Sequence, residues 1–308
     1  MGYAAVMSRQ PKLYGAIEAG GTKFVCALAH DDATIVAESR LPTTDPASTL
    51  VAMLEFLQQG SRQHGALSGI GVASFGPVVL DRQSPHFGFI GKTPKPGWSH
   101  ANIVGAVRSA FACPVGFDTD VNAAALAEHR WGAGRGISNL VYVTVGTGIG
   151  GGVLANDALV HGLMHPEIGH LFVRRHPMDA GFAGACPFHG DCLEGLASGP
   201  AIVKRSGHEL SALDADHPQW SIEADYLGQL CATLVLTVSP QRIIMGGGVM
   251  NQQQLFPLIH QRMLHWLAGY IDRVELLQHI DRYVVPPALG GRAGVLGALA
   301  LALGARDA

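Results

Sequence analysis

The chain has 308 residues, 48 % of them hydrophobic and 15 % charged, with a formal net charge of -3. This length carries one large or two mid-sized domains with a sizeable core and no need of staples. The weak charge, with no basic stripe, gives a nucleic-acid surface no electrostatic support, and 40 non-periodic glycines exclude a collagen-like chain.

In chain order, Leu13 to Ala19 reads as a strand, Gly20-Gly21 as a turn, Lys23 to Ala29 as a second strand and Thr34 to Arg40 as a third, close enough for an antiparallel meander. Asp45 to Gln59 has helical spacing (Leu50, Met53, Leu54, Leu57), with Asp45 as N-cap and Pro46 at the first helical position. Gly69 to Ala73 is a short buried strand, Asn102 to Phe111 a helix, Val115 to Thr119 a strand and Val121 to Trp131 a helix following directly. The pattern then restarts. Leu140 to Val145 is a strand, Thr147 to Gly151 a glycine turn, and Val153 to Leu154 resumes extended. Ile222 to Val238 is a long helix, Arg242 to Met245 a buried strand ending in three glycines, and Leu255 to Tyr270 and Ala293 to Leu303 are helices. A strand–glycine turn–strand unit thus occurs once in each half, and the alternation of strands and helices argues α/β.

Met1 to Leu13 has no basic start followed by an apolar block, and the most apolar stretch, Val295 to Leu303, is far short of the roughly 20 residues that cross a bilayer. The expectation is a cytoplasmic protein with no membrane partner. An odd count of five cysteines argues against a disulfide framework there, and Cys26, Cys113 and Cys231 read as core residues.

Three glycine loops can admit phosphates. Glu18-Ala-Gly-Gly-Thr-Lys23 joins two strands without Walker A spacing, and is either a hairpin turn or an anion cradle with Thr22 and Lys23 adding a hydroxyl and a charge. Val143 to Gly152 holds more glycine than a turn needs, which suggests close backbone approach to a ligand, with Thr147 as hydroxyl donor. Gly246-Gly247-Gly248 ends a strand, where open α/β sheets bind ligands, and Ser198-Gly199-Pro200 opens a helix. The expected nucleotide contacts are Gly20, Gly21, Thr22, Lys23, Gly146, Thr147, Gly148, Pro200, Gly246, Gly247, Gly248, Val249 and Met250. ATP with Mg²⁺ on its phosphates suits such loops, because phosphoryl transfer needs mainly positioning and charge neutralisation.

Asp120 lies where a strand runs into a helix. It is either an N-cap or, beside a phosphate site, the base for an acceptor hydroxyl; both roles can hold at once. Cys186, His189 and Cys192 stand at intervals of three, which is metal-ligand spacing. His170 completes four ligands, with His176 as its competitor, and an all-protein set is that of a closed structural zinc site. The loop brings Glu167 and Glu194 together, and carboxylates with imidazoles hold sugar hydroxyls well. His64, His208 and His265 read as surface residues.

Together these residues resemble the ROK family (repressor, open reading frame, kinase) and, within it, the bacterial fructokinase branch. The carriers are Glu18 to Lys23, Phe75-Gly-Pro77, Pro94-Lys-Pro-Gly-Trp98, Asp118-Thr-Asp-Val-Asn122, Val145 to Gly150, Glu167-Ile-Gly-His170 and Cys186 to Glu194, spread from about Leu13 to about Leu303. The resemblance implies an α/β, two-lobed, actin-like (ribonuclease-H-like) fold with a central ligand cleft. It implies Asp120 as catalytic base, Glu167, His170 and Glu194 with Gly76 and Pro77 at the sugar, and His170 also on zinc. The lobes would be 1–119 joined by the C-terminal helix 290–308, and 120–289 carrying the zinc loop. Many relatives carry Asp where this chain has Glu18, glucose-type members carry Asn where it has Thr119, and other branches use three cysteines; these departures favour fructose. A homodimer is compatible with the family.

The function expected is transfer of the γ-phosphoryl group of ATP to the 6-hydroxyl of fructose. The alternative is a mannose or glucose kinase of the same family. A sugar-sensing repressor needs a helix-turn-helix module, and only about a dozen residues precede the first strand.

Overall fold

The structure is a computed structural model that describes residues 11–305. The first ten residues, on which most of the reading of an absent export signal falls, and the last three lie outside it. Two compact units emerge: residues 11–123 with 294–305, and Ala124–Ala293.

The first unit holds β1 (Leu13–Ala19), β2 (Lys23–His30), β3 (Ile35–Pro42), α1 (Pro46–His64), β4 (Leu67–Ser74), α2 (Ile103–Ala110), β5 (Val115–Thr119) and the first turn of α3 (Asp120–Trp131). Its sheet runs β3-β2-β1-β4-β5, with the first three strands antiparallel and β1, β4 and β5 parallel. β3, at the edge, alternates half-buried and exposed residues, whereas β4 is buried almost throughout, as a strand covered on both faces must be. Asp45 caps α1 by accepting from Ser48 N at 3.0 Å with Pro46 following, and Thr49, Met53, Leu57 and Gly60 form its buried stripe.

The second unit holds β6 (Leu140–Val145), β7 (Ile149–Ala155), β8 (Ala158–Leu159), α4 (Leu193–Ala197), α5 (Gly199–Ser206), α6 (Gln219–Thr237), β9 (Arg242–Gly246), α7 (Leu255–Leu267), α8 (Val274–Leu277), α9 (Ile280–Tyr283) and β10 (Val284–Val285). Its sheet runs β10-β9-β6-β7-β8. Read from β8, that is third, second, first, fourth and fifth strand, the order of the first sheet, with the same antiparallel and parallel pairings. The repeated strand–glycine turn–strand unit of the sequence is therefore a repeated sheet topology. The core of this unit lies between that sheet and α6 with α7, where Trp220, Tyr226, Leu230, Ile243 and Ile259 are buried.

α10 (Ala293–Gly304) is apolar on all sides and buried along most of its length. It lies so close to β4 that a Cβ on Gly71 would fall 1.8 Å from the carbonyl oxygen of Ala298. A helix can approach a strand this closely only over glycine. The division between units falls inside α3, after Ala123, rather than ahead of it at 119/120. Ala123 packs against Gly297 of α10, so the first turn of α3 stays with the first sheet. Among the described residues no helix is long and apolar enough to cross a membrane.

One difference from the sequence reading concerns glycine. The turn between β6 and β7 spans Gly146 to Gly148, and Gly150, Gly151 and Gly152 lie inside β7, paired with Thr144, Val143 and Tyr142. A Cβ on Gly151 would meet Ile168 Cδ1 at 2.0 Å. Packing therefore accounts for that glycine.

Candidate active site

In the first unit, Ala19, Ser74 and Thr119 are register partners across the parallel strands β1, β4 and β5. The carboxyl ends of the three strands therefore coincide, and the segments that leave them emerge at one edge, where open α/β sheets bind ligands. From β1 comes the turn Gly20 to Lys23, closed by Gly20 N donating to Lys23 O at 3.0 Å and braced by the Thr43 hydroxyl on Gly20 O at 2.7 Å. Thr22 and Lys23 are exposed, and no atom stands within 4 Å of where a Cβ on Gly21 would be. From β4 come Phe75, whose N–H donates to Ala19 O at 2.8 Å, and the cis bond Gly76–Pro77. Pro94 to Trp98 is an anchored turn: Trp98 is buried, donates to Thr44 O at 2.8 Å, and packs on Phe24 and Phe75.

From β5 comes the start of α3. Asp118 is buried, its Oδ1 accepting from Thr119 N at 2.8 Å and from Asn122 Nδ2 at 2.6 Å. The N-capping side chain is that of Thr119, whose hydroxyl accepts from Asn122 N at 3.1 Å. Asp120 is the first helical residue, half-buried, with Oδ1 accepting from Val121 N at 2.9 Å. Of the two readings of Asp120, the cap is taken over by its neighbour.

Glu18 sits near Asp120, its carboxyl against Gly294 in the first turn of α10. Burial, and then the charge of Asp120, push Glu18 from its ordinary 4.5 up to about 7. The folded state therefore holds a proton that the unfolded chain releases near pH 4.5. The stability tied to it is complete below that pH and is lost as pH rises through about 7. The expected result is that Glu18→Gln flattens this loss, which amounts to at most about 3 kcal/mol. Calorimetric melting of both proteins from pH 5 to pH 8 checks it; parallel curves would remove Glu18 as the cause.

In the second unit, Thr144 and Gly246 are partners, so β6 and β9 also end together. Gly146 lies against Gly248 there, a Cβ on it falling 3.8 Å from Gly248 N, and Thr147 is exposed. Gly247 has φ 95°, and a Cβ on it would meet Val145 O at 2.3 Å, so glycine is obligatory. Gly199 N donates to Gly146 O at 2.8 Å, which brings Ser198, the cap of α5, and exposed Pro200 to the same place. Val249 and Met250 are buried in the core, leaving only their backbone to a ligand.

Glu194, on α4, accepts from Ile149 N at 2.9 Å and so lies against the same turn. Glu167 precedes the 3-10 turn Ile168–His170; burial and the charge of Glu194 push its carboxyl up to about 7. His165, absent from the sequence reading, is buried with Nδ1 3.4 Å from Oε1 of Glu167. The signal for it was its place two residues before Glu167, and its burial could not be read from that.

The donor atoms of His170, Cys186, His189 and Cys192 all lie within 4.8 Å of one another. His170 Nδ1 is 3.5 Å from Cys192 Sγ and 3.8 Å from Cys186 Sγ, and His189 Nδ1 is 3.8 Å from Cys186 Sγ. Around a tetrahedral zinc, with bonds of about 2.3 Å to sulfur and about 2.0 Å to nitrogen, sulfur–nitrogen edges are about 3.5 Å. The cluster thus fits zinc in donor type and spacing. His176 stands apart, its Nδ1 accepting from Met178 N at 3.2 Å. The loop is held from outside the donor set: Arg175 donates to Asp191 Oδ2 at 2.7 Å and to the carbonyl of Asp179 at 3.2 Å.

The ROK family profile matches residues 14–305. A fructokinase of Zymomonas mobilis is 45 % identical over 304 residues, covering 98 % of this chain and 100 % of that one. A fructokinase of Pediococcus pentosaceus is 41 % identical over 290 residues, covering 94 % and 97 %. Among solved structures, the ROK hexokinase of Thermus thermophilus superposes with a TM-score of 0.77 at 26 % identity, covering 94 % of this chain and 98 % of that chain. The α/β fold is accordingly the actin-like fold of these sugar kinases, and the chain belongs to the ROK family.

Proposed function

We propose that this protein is an ATP-dependent fructokinase that forms fructose 6-phosphate. The observation that carries the reading is the 45 % identity to a fructokinase over 98 % of this chain and 100 % of that one. The geometry of the two strand-end sites supports it.

In this reading the phosphates of ATP lie on the turns Gly20 to Lys23 and Gly146 to Gly148, and the nucleoside end lies by Pro200 and Gly246 to Met250. Mg²⁺ accompanies the nucleotide and neutralises charge on its phosphates. Glu167, Glu194 and His170, with Gly76 and Pro77, hold the hexose. Asp120 accepts the proton of the 6-hydroxyl while that oxygen bonds to the γ-phosphorus and the bond to the β-bridging oxygen breaks, releasing ADP. Since Thr119 caps α3, the carboxylate of Asp120 is not the group on which the helix start depends. His170, Cys186, His189 and Cys192 would hold a zinc that fixes their loop and takes no part in the transfer.

The substrate is tested by coupled ADP release with fructose, mannose and glucose. The expected order places fructose first, by about tenfold or more in kcat/KM, because hydroxyl recognition by buried polar groups discriminates strongly. Equal or better turnover of mannose or glucose would replace fructose with the alternative hexose.

A further inference from the structure

The segment leading to Glu167 combines full exposure with deep burial. Leu163 is fully exposed and Met164 is 44 % exposed, at a tip closed by Gly162 N donating to Met164 O at 3.1 Å. The next residue, His165, turns inward and is 5 % exposed. A buried imidazole without a polar partner is costly, and here its Nδ1 stands 3.4 Å from Oε1 of Glu167. Glu167 occupies the cap position of the turn Ile168–His170, yet its side chain makes no cap bond. The local backbone thus places no demand on this carboxylate, whose side chain remains 37 % exposed. His165 thus lies against a partly buried carboxylate that stands within electrostatic range of Glu194.

A flexible acidic side chain binds a ligand better when a rigid, buried neighbour has already chosen its rotamer. We propose that His165 is a positioning residue for hexose recognition: it holds Oε1 of Glu167 and so aims the other carboxylate oxygen at the hydroxyls of the sugar. The inference rests on the reading of Glu167 as a sugar contact. Its effect belongs to the sugar. His165 is not one of the four clustered donors, and the turns assigned to the nucleotide are held by other contacts, Gly199 N on Gly146 O and Ile149 N on Glu194 among them.

The test compares His165→Leu, His165→Asn and His165→Gln with the wild type, using whichever hexose the wild type turns over fastest, with zinc content and melting measured alongside. An asparagine can place its amide nitrogen near the position of Nδ1, and a glutamine cannot. The Leu and Gln variants are expected to raise the hexose KM about tenfold, with the ATP KM within about twofold and zinc retained, and the Asn variant to return within about threefold of wild type. If the Leu variant does not fold, the Asn and Gln pair decides alone. An unchanged hexose KM in the Gln and Leu variants overturns the proposal. So does a parallel rise in the ATP KM, or an Asn variant no better than Gln. A wild type that prefers mannose removes fructose as the substrate while His165 is still read on the mannose KM; a wild type that phosphorylates no hexose removes both.

Discussion

Replacing Asp120 by Asn should lower kcat by about 10²–10⁴-fold while leaving the fold intact, as expected for loss of a general base. The substitution is nearly isosteric, and its side-chain oxygen can still accept from Val121 N as Asp120 Oδ1 does at 2.9 Å. The cap of α3 is on Thr119, and the buried pairing of Asp118 with Asn122 is untouched. Melting temperature and zinc content should therefore match the wild type, and the fructose KM should change little, since a base that acts in the transition state contributes little to ground-state binding. Thr119→Ala offers the contrast: it removes a cap worth about 1 kcal/mol and should lower stability while keeping the base. Turnover of the Asn variant within tenfold of wild type would exclude Asp120 as the base.

The second large effect is expected at the metal cluster. Cys192→Ala removes a buried donor 3.5 Å from His170 Nδ1. Purified wild type should contain about one zinc per chain, and the variant almost none, because a four-ligand site with one ligand missing loses most of its affinity. The loss should reach beyond the metal. His170 is itself a donor, and Glu194 follows Cys192 by two residues on α4, so two of the proposed sugar contacts hang on the loop. The fructose KM should rise by about tenfold or more and the melting temperature fall by about 10 °C, corresponding to several kcal/mol in a unit of this size. His176→Ala should keep its zinc, since His176 caps a neighbouring turn instead. Metal analysis by plasma emission decides both; a wild type purified without zinc would overturn the site.

The two predictions differ in how far the sequence anticipated them. The clustered donors are legible because metal-ligand spacing is a local property: Cys186, His189 and Cys192 lie within seven residues, and one tight knuckle, Cys186 N on Gly190 O at 3.1 Å, brings them together. Only the fourth donor needed the fold, which separates His170 from His176. The role of Asp120 is less local. Thr119 and Asp120 are both good capping residues, and a shift of one position in the helix start decides which caps. The backbone course out of β5 made that choice in favour of Thr119.

The sequence by itself determined the two repeated α/β units, the capped start of α1 at Asp45 and Pro46, the glycine turns at strand ends and the Cys/His knuckle. Each of these depends on residues near one another in the chain, where periodicity and turn chemistry act directly. The tertiary structure decided what depends on partners distant in sequence. It placed α10 on Gly71, put Gly151 under Ile168, set Glu18 beside Asp120 with a raised carboxyl, and buried His165 against the partly buried Glu167. Burial and electrostatic proximity arise only when the sheet and its helices close on each other, and no local pattern encodes them.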